Sequence, residues 1–276
     1  MSVFLASLNS GSNANCYYVG NSSEAVLIDA GLSCRETEKR MKRLELDIKK
    51  VKAIFISHEH SDHISGLEVL SKKYQLPVYI TSSTLSNSSL KLEPSLVISF
   101  TKNKAVSVGE LEILPFTKSH DAADAHSFVV SCKGTHVGVL TDMGYACKQV
   151  LKHFSQCHAV FLESNYCEEM LMNGSYPYHL KQRISGDEGH LSNQQALELF
   201  LNYKAPHLQL LILSHLSQNN NHPQVVEQLF APHGKDVKIV VASRYKESEV
   251  FVIESTTKAQ PIVKKRKHQN QLSLFD

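Results

Sequence analysis

Apolar positions along the chain follow two rhythms, and their alternation predicts where strands and helices lie. Residues 3–8, 16–19 and 25–28 are short apolar runs separated by the turn clusters Asn9-Ser10-Gly11-Ser12-Asn13 and Gly20-Asn21-Ser22-Ser23, the pattern of a strand meander. Residues 34–44 show helical spacing among Lys, Arg and Glu, and 51–56 is a β-branched and aromatic run typical of a buried strand. A helix capped by Ser61 or Asp62 is predicted to run through Leu67, Val69 and Leu70, before a strand at 77–80. Further strands are expected at 105–108, 110–114, 127–131, 135–140, 159–162 and 208–213, with helices around 148–153 and 193–203. Strands in both halves with helices between them suggest a layered α/β architecture, helices outside two sheets; periodicity alone leaves another α+β fold open. No internal sequence repeat is visible.

The pattern stops near the end. From Thr256 the composition turns to Lys, Gln, Asn and His, including Lys264-Lys265-Arg266-Lys267, so one folded domain over 1–255 and a flexible basic tail over 256–276 are expected. A chain of 276 residues with 42% hydrophobic content can bury a sizeable single core. The net charge of +2 is too small for a broad phosphate-binding surface, so contact with a polyanion has to be local. Six cysteines without a CxxC pair suit reduced thiols buried as small hydrophobes in a cytoplasmic protein. The first residues have no basic region and only a brief apolar stretch, unlike a signal peptide, and no apolar run nears the roughly 20 residues that span a bilayer.

The chemistry concentrates in His58-Glu59-His60-Ser61-Asp62-His63, directly after a predicted strand. Imidazoles and carboxylates are the donors for zinc, manganese or iron at a hydrolytic site, and several must converge on one point. On extended backbone His58 and His60 project to one side, while Asp62 and His63 fall in a first helical turn, so two adjacent donor sets result. The HExxH helix pattern is excluded, because Asp62 stands where its second histidine would be. A surface histidine cluster is the bland alternative.

Ser57 to His63, reading SHEHSDH, resembles the HxHxDH signature of the metallo-β-lactamase superfamily, whose four-layer αββα fold is then expected. Further motifs of that family follow in order: Asp29 in Leu27-Ile28-Asp29-Ala30-Gly31, His120 in Ser119-His120-Asp121, Asp142 in Leu140-Thr141-Asp142-Met143-Gly144, and His215 in Leu213-Ser214-His215-Leu216-Ser217. The resemblance implies two divalent metal ions, one held by His58, His60 and His120, the other by Asp62, His63 and His215, with Asp142 between them and Asp29 orienting the histidines. His126 is a rival to His120, and Asp142 could instead cap a turn. Asp62 can orient a water nucleophile or accept its proton.

The segment Gly189-His190-Leu191-Ser192-Asn193 resembles the histidine motif of transfer-RNA-processing phosphodiesterases, in which the histidine protonates the leaving oxygen. His190 is thereby a candidate general acid. Ser192 and Asn193, opening a helix, are candidate phosphate contacts or plain caps, and Lys181 and Arg183 are candidate phosphate contacts or solvated charges. Asn9 to Cys16, the Glu163-Ser164-Asn165 turn and the 175–193 stretch look like the bacterial YycJ/WalJ group, which implies 5′-to-3′ exonuclease action on DNA in repair or replication. A transfer-RNA-processing ribonuclease acting on RNA and a glyoxalase-II-like thioester hydrolase are the rival readings; the latter normally adds a helical thiol-binding domain, where a basic tail is expected here. Finally, Gln271, Leu272, Leu274 and Phe275 resemble the short peptide by which bacterial replication and repair proteins dock on the DNA sliding clamp. A terminal segment folding back on its own core is the alternative.

Overall fold

The central strands are apolar on both faces, and successive side chains enter different layers. Val137 and Val139 point into one hydrophobic cluster and Leu140 into another; Ala159 and Phe161 alternate with Val160 and Leu162, and Leu210 and Ile212 with Leu211 and Leu213, in the same way. The computed structural model describes residues 2–254. The first half contains β1 (Ser2–Asn9), β2 (Cys16–Gly20), β3 (Ala25–Ile28), α1 (Cys34–Arg43), β4 (Val51–Phe55), α2 (Ser61–Ile64), α3 (Leu67–Tyr74), β5 (Val78–Tyr79), α4 (Ser82–Ser86) and β6 (Val97–Ile98). The second contains β7 (Val106–Val108), β8 (Leu111–Thr117), β9 (His126–Cys132), β10 (Thr135–Leu140), α5 (Lys148–Phe154), β11 (Ala159–Glu163), α6 (Glu168–Asn173), α7 (Tyr178–Ser185), α8 (Asn193–Tyr203), β12 (Leu210–Ser214), α9 (Pro223–Phe230), β13 (Lys238–Val241) and β14 (Phe251–Glu254).

These strands form two seven-stranded sheets, ordered β14-β1-β2-β3-β4-β5-β6 and β13-β12-β11-β10-β9-β8-β7. The central core lies between them, where the Tyr17 and Phe161 rings meet at 4.9 Å. One outer cluster packs α1 and α3 against the first sheet, and the other packs α5, α8 and α9 against the second. The result is the expected αββα arrangement. The halves also repeat one another in topology: β14, β1, β2 and β3 pair antiparallel and β3 to β6 parallel, while β7 to β10 pair antiparallel and β10 to β13 parallel.

The helix expected from Ser61 or Asp62 through Leu70 is broken in two. His60, without a side-chain cap bond, precedes α2, and Gly66 separates α2 from α3. Gly66 has to be glycine because a Cβ there would stand 1.7 Å from the Leu32 carbonyl oxygen. Among the described residues no helix is long and apolar enough to cross a membrane. The tail over 256–276, including Gln271 to Phe275, lies outside the described residues.

Candidate metal centre

The polar cluster collects at the C-terminal ends of parallel strands from both sheets, where open α/β sheets bind ligands. Asp29 follows β3, the histidine segment follows β4, Asp142 follows β10, Glu163 ends β11 and His215 follows β12. Asp29, Asp142 and His215 all adopt left-handed backbone, at φ 62°, 57° and 59°. Asp and His tolerate that region better than branched residues, and the turn it makes directs each side chain across the strand ends.

Each buried imidazole has one nitrogen engaged with the scaffold and the other turned toward the cluster. Asp29 Oδ2 lies 2.8 Å from His63 Nδ1, and Asp29 also accepts the Ser57 N–H at 2.8 Å and hydroxyl at 2.9 Å. Ser57 Oγ stands 2.8 Å from His58 Nδ1, and the Gly189 carbonyl 3.1 Å from His120 Nδ1. These partners favour the Nδ1–H tautomers and leave the Nε2 lone pairs of His58, His63 and His120 facing inward. His58 Nε2 and His120 Nε2 approach His60 Nδ1 to 3.1 and 3.3 Å, a trio of ring nitrogens around one point.

A second convergence joins the first. His63 Nε2 stands 3.4 Å from Asp62 Oδ2 and from Asp142 Oδ2, and His215 Nε2 is 3.5 Å from Asp62 Oδ2. The groups that can hold a cation are His58-His60-His120, His58-His63-Asp142, Asp62-His63-His215 and Asp142-Glu163-His190-His215. Asp142 Oδ2 is buried without a hydrogen-bond partner, a costly state for a carboxylate unless a cation faces it. Nitrogen and oxygen donors at these separations fit divalent transition metals.

Electrostatics divides the cluster. Burial keeps His58 well below the usual histidine range and, against the charge of Asp142, brings His120 down to about 4. Burial also opposes charge on His63 and His215, but nearby carboxylates, Asp142 foremost, overcome it and lift His63 well above its usual range and His215 to about 10. Asp142 is held well below the carboxylate range because the charges of His215, His63 and Lys118 outweigh its burial. Asp62 behaves likewise, through His63 and His215. The same field that retains protons on these imidazoles draws a divalent cation.

Of the remaining expected residues, His190 joins the cluster: its Nδ1 lies 2.8 Å from Glu163 Oε1 and 4.0 Å from Asp142 Oδ1. Arg183 reaches the rim, where its Nε stands 2.6 Å from Asp121 Oδ2, and Asp121 Oδ1 is 3.5 Å from His120 Nε2. Lys181 turns its Nζ to the Met172 carbonyl at 2.6 Å. Ser192 and Asn193 differ from the expectation of phosphate contact. Both are buried; Ser192 forms a capping box with Gln195 and donates to Glu168, and Asn193 bonds Ser164 and Asn221. The N–H groups of Leu191, Ser192, Asn193 and Gln195 are also taken, so this helix start offers little to an anion. His126 turns its Nδ1 to the Asp124 carbonyl and stays outside the cluster.

Two site residues carried no role in the sequence reading. Glu163 is fully buried and held down to about 2 against that burial, chiefly by the charge of His190 and hydrogen bonds with His190 and His215. Its Oε1 is also 3.0 Å from His215 Nδ1, and its Oε2 accepts from the Met143 and Leu191 N–H groups. Asn15 Nδ2 lies 3.0 Å from both Asp62 Oδ2 and His63 Nε2. A polar residue ending an apolar strand, and an Asn two positions past the turn cluster, were the only sequence signals for them.

A family model described as a Beta-lactamase superfamily domain matches residues 24–215. Exodeoxyribonuclease YycJ of Bacillus anthracis is 35% identical over 224 residues, covering 80% of this chain and 85% of that protein. Exodeoxyribonuclease WalJ of Streptococcus pneumoniae is 33% identical over 232 residues, covering 80% and 86%. Among solved structures, the metallo-beta-lactamase fold protein YhfI from Bacillus subtilis superposes with a TM-score of 0.69 at 16% identity, over 91% of this chain and 99% of that one. The chain therefore belongs to the metallo-β-lactamase superfamily, as a metal-dependent hydrolase that is YycJ/WalJ-like within it.

Proposed function

We propose that this protein is a dinuclear-metal phosphodiesterase, a 5′-to-3′ exonuclease acting on DNA in repair or replication within the cytoplasm. The observation that carries the reading is His190, anchored by Glu163 beside the ligand cluster and a fifth of its side chain open to solvent. Expulsion of a sugar oxygen from a phosphodiester needs a proton, and an imidazole is its usual donor. A thioester, with its better leaving group, has less need of one. The names of the YycJ and WalJ relatives support DNA as the substrate.

His58, His60 and His120 would hold one cation, Asp62, His63 and His215 the other, with Asp142 facing both. Bound there, zinc, manganese or iron supplies Lewis-acid stabilisation of phosphoryl charge and lowers the pKa of water. Asp62, steadied by Asn15, accepts the proton of the attacking water. His190 keeps Nδ1–H on Glu163, so its Nε2 delivers a proton to the departing oxygen. Arg183, at the rim, and Lys181, two residues earlier on α7, are proposed to meet the DNA backbone and thus localise attraction that the small net charge cannot supply. Gln271, Leu272, Leu274 and Phe275 are proposed to dock on the bacterial sliding clamp, with the basic stretch before them touching DNA.

Metal-reconstituted, full-length protein should be assayed on end-labelled DNA and RNA, single- and double-stranded, and on a glutathione thioester. Short products released from DNA 5′ ends are expected. Cleavage of the thioester with no action on nucleic acid would overturn the reading, and preference for RNA would move it to the transfer-RNA-processing type.

A further inference from the structure

Beside the cluster lies a second concavity. Strands β10 to β13 run parallel, so the segments leaving β12 and β13 emerge on the same edge, His215 from one and Ala242 from the other. Between these segments is a cavity of about 480 Å3, within the ~300–1,000 Å3 of small-molecule sites. Leu216 and Ser217 line one side, and Arg244, Tyr245 and Lys246 the other.

The backbone of the second segment is pinned. The Ser243 carbonyl accepts from Ser10 N–H at 3.2 Å, Arg244 from Asn13 Nδ2 at 3.0 Å, and Tyr245 from the buried Arg40 at 3.0 Å. Ser10 in turn accepts the His215 N–H at 2.7 Å, which ties the wall directly to a cluster residue. The side chains, by contrast, are uncommitted. Tyr245 is 73% exposed, the largest value among the exposed large hydrophobic residues described. Arg244 Nη1 is buried with no hydrogen-bond partner, and the guanidinium carbon lies 6.0 Å from the Tyr245 ring centre. Among the described residues neither Arg244 nor Lys246 forms an ion pair.

A rigid backbone presenting an exposed aromatic ring beside a guanidinium, with an ammonium that has no ion pair among the described residues, is the chemistry that receives a nucleotide: the open face of the ring stacks a base and the cations take phosphate oxygens. We infer that this cavity is a nucleotide subsite, holding the residue of single-stranded DNA next to the phosphodiester under attack. Tyr245 stacks its base, Arg244 and Lys246 contact its phosphate, and Gln218 with Glu227 offers acceptors to the base edge. The inference rests on the nuclease reading and adds to it a seat for the neighbouring nucleotide. Stacking is indifferent to base identity, so the subsite confers strand recognition rather than sequence choice.

The test uses the full chain with its metals and a phosphorothioate oligothymidylate bearing a 5′-phosphate and a 3′-fluorescein, followed by fluorescence anisotropy. Tyr245→Ala is expected to weaken binding about tenfold, and Tyr245→Phe to stay within about twofold of wild type, because the ring alone stacks. Arg244→Ala is expected to flatten the dependence of log Kd on log salt by about 0.7, one single-strand phosphate contact. Turnover of methyl p-nitrophenyl phosphate, which has no second ring to reach the subsite, is expected to be unchanged in all three variants. Wild-type binding by Tyr245→Ala, or equal loss by Tyr245→Phe, overturns the subsite while leaving cleavage of DNA intact. Failure of the wild type to bind or cleave any DNA overturns the nuclease reading, and the subsite falls with it.

Discussion

Nδ1 of His190 stands 2.8 Å from Oε1 of Glu163, so the partly exposed imidazole is oriented by a carboxylate that is itself fully buried. His190→Ala is expected to retain its metals and fold but lose roughly a hundredfold or more in turnover on a phosphodiester. A nitrophenolate leaving group, needing no acid, should suffer much less. Glu163→Gln is expected to lose about 10–100-fold, with the same leaving-group dependence if its role runs through His190. Equal losses on good and poor leaving groups would point to structural damage.

Asp142 stands beside both donor sets, its Oδ1 3.9 Å from His120 Nε2 and its Oδ2, which has no hydrogen-bond partner, 3.4 Å from His63 Nε2. Asp142→Ala should therefore lower metal content, measured by plasma emission, and turnover together. Full metal occupancy with normal activity would show that it is not the bridge. A chelator is expected to lower the melting temperature of the wild type more than that of Asp142→Ala, because a ligand bound only by the folded state stabilises it in proportion to its affinity.

A pH effect arises far from this site. His158 is kept neutral by burial, with the charges of His207 and His136 adding, and its pKa falls from 6.5 to about 4; its Nδ1 also accepts the His136 N–H at 3.2 Å. The unfolded chain takes up this proton at higher pH than the folded chain, so stability is expected to decline as pH falls from 6.5 to about 4. Urea midpoints at pH 7 and pH 5 should converge more in His158→Gln than in wild type; an identical decline in both would exclude this histidine as a source.

If the proposed docking holds, removing residues 271–276 abolishes binding to the sliding clamp and leaves cleavage of free DNA nearly unchanged. Calorimetry with the terminal peptide checks the first half directly, and no heat at high micromolar peptide would retire the partner.

Much of this was legible because the candidate ligands sit where apolar strands stop: His58, Asp142 and His215 each follow closely on an apolar run. The halves of Glu163's role were not. A glutamate ending β11 carries no mark that His190, 27 positions further along the chain, returns beside it. Ser192 illustrates the converse, since a residue that caps a helix and one that meets phosphate have the same sequence appearance, and only the Gln195 partnership separates them. The repeated topology leaves no mark in the sequence because it resides in strand pairing, which many side-chain sets satisfy; Asp29 and Asp142 leave corresponding strands, β3 and β10, in the same left-handed turn, one supporting a histidine and the other facing it.

The pairing of β1 with β14 joins Ser2 to Glu254. During synthesis the outer edge of β1 must therefore wait for almost the whole chain, a delay on the order of tens of seconds at about 5–20 residues per second. The histidine segment emerges early in that interval, long before Asp142 and His215. A cation captured then would find an incomplete donor set and exchange readily, so any selection among cellular metals would wait until Asp142 and His215 had joined the histidine segment.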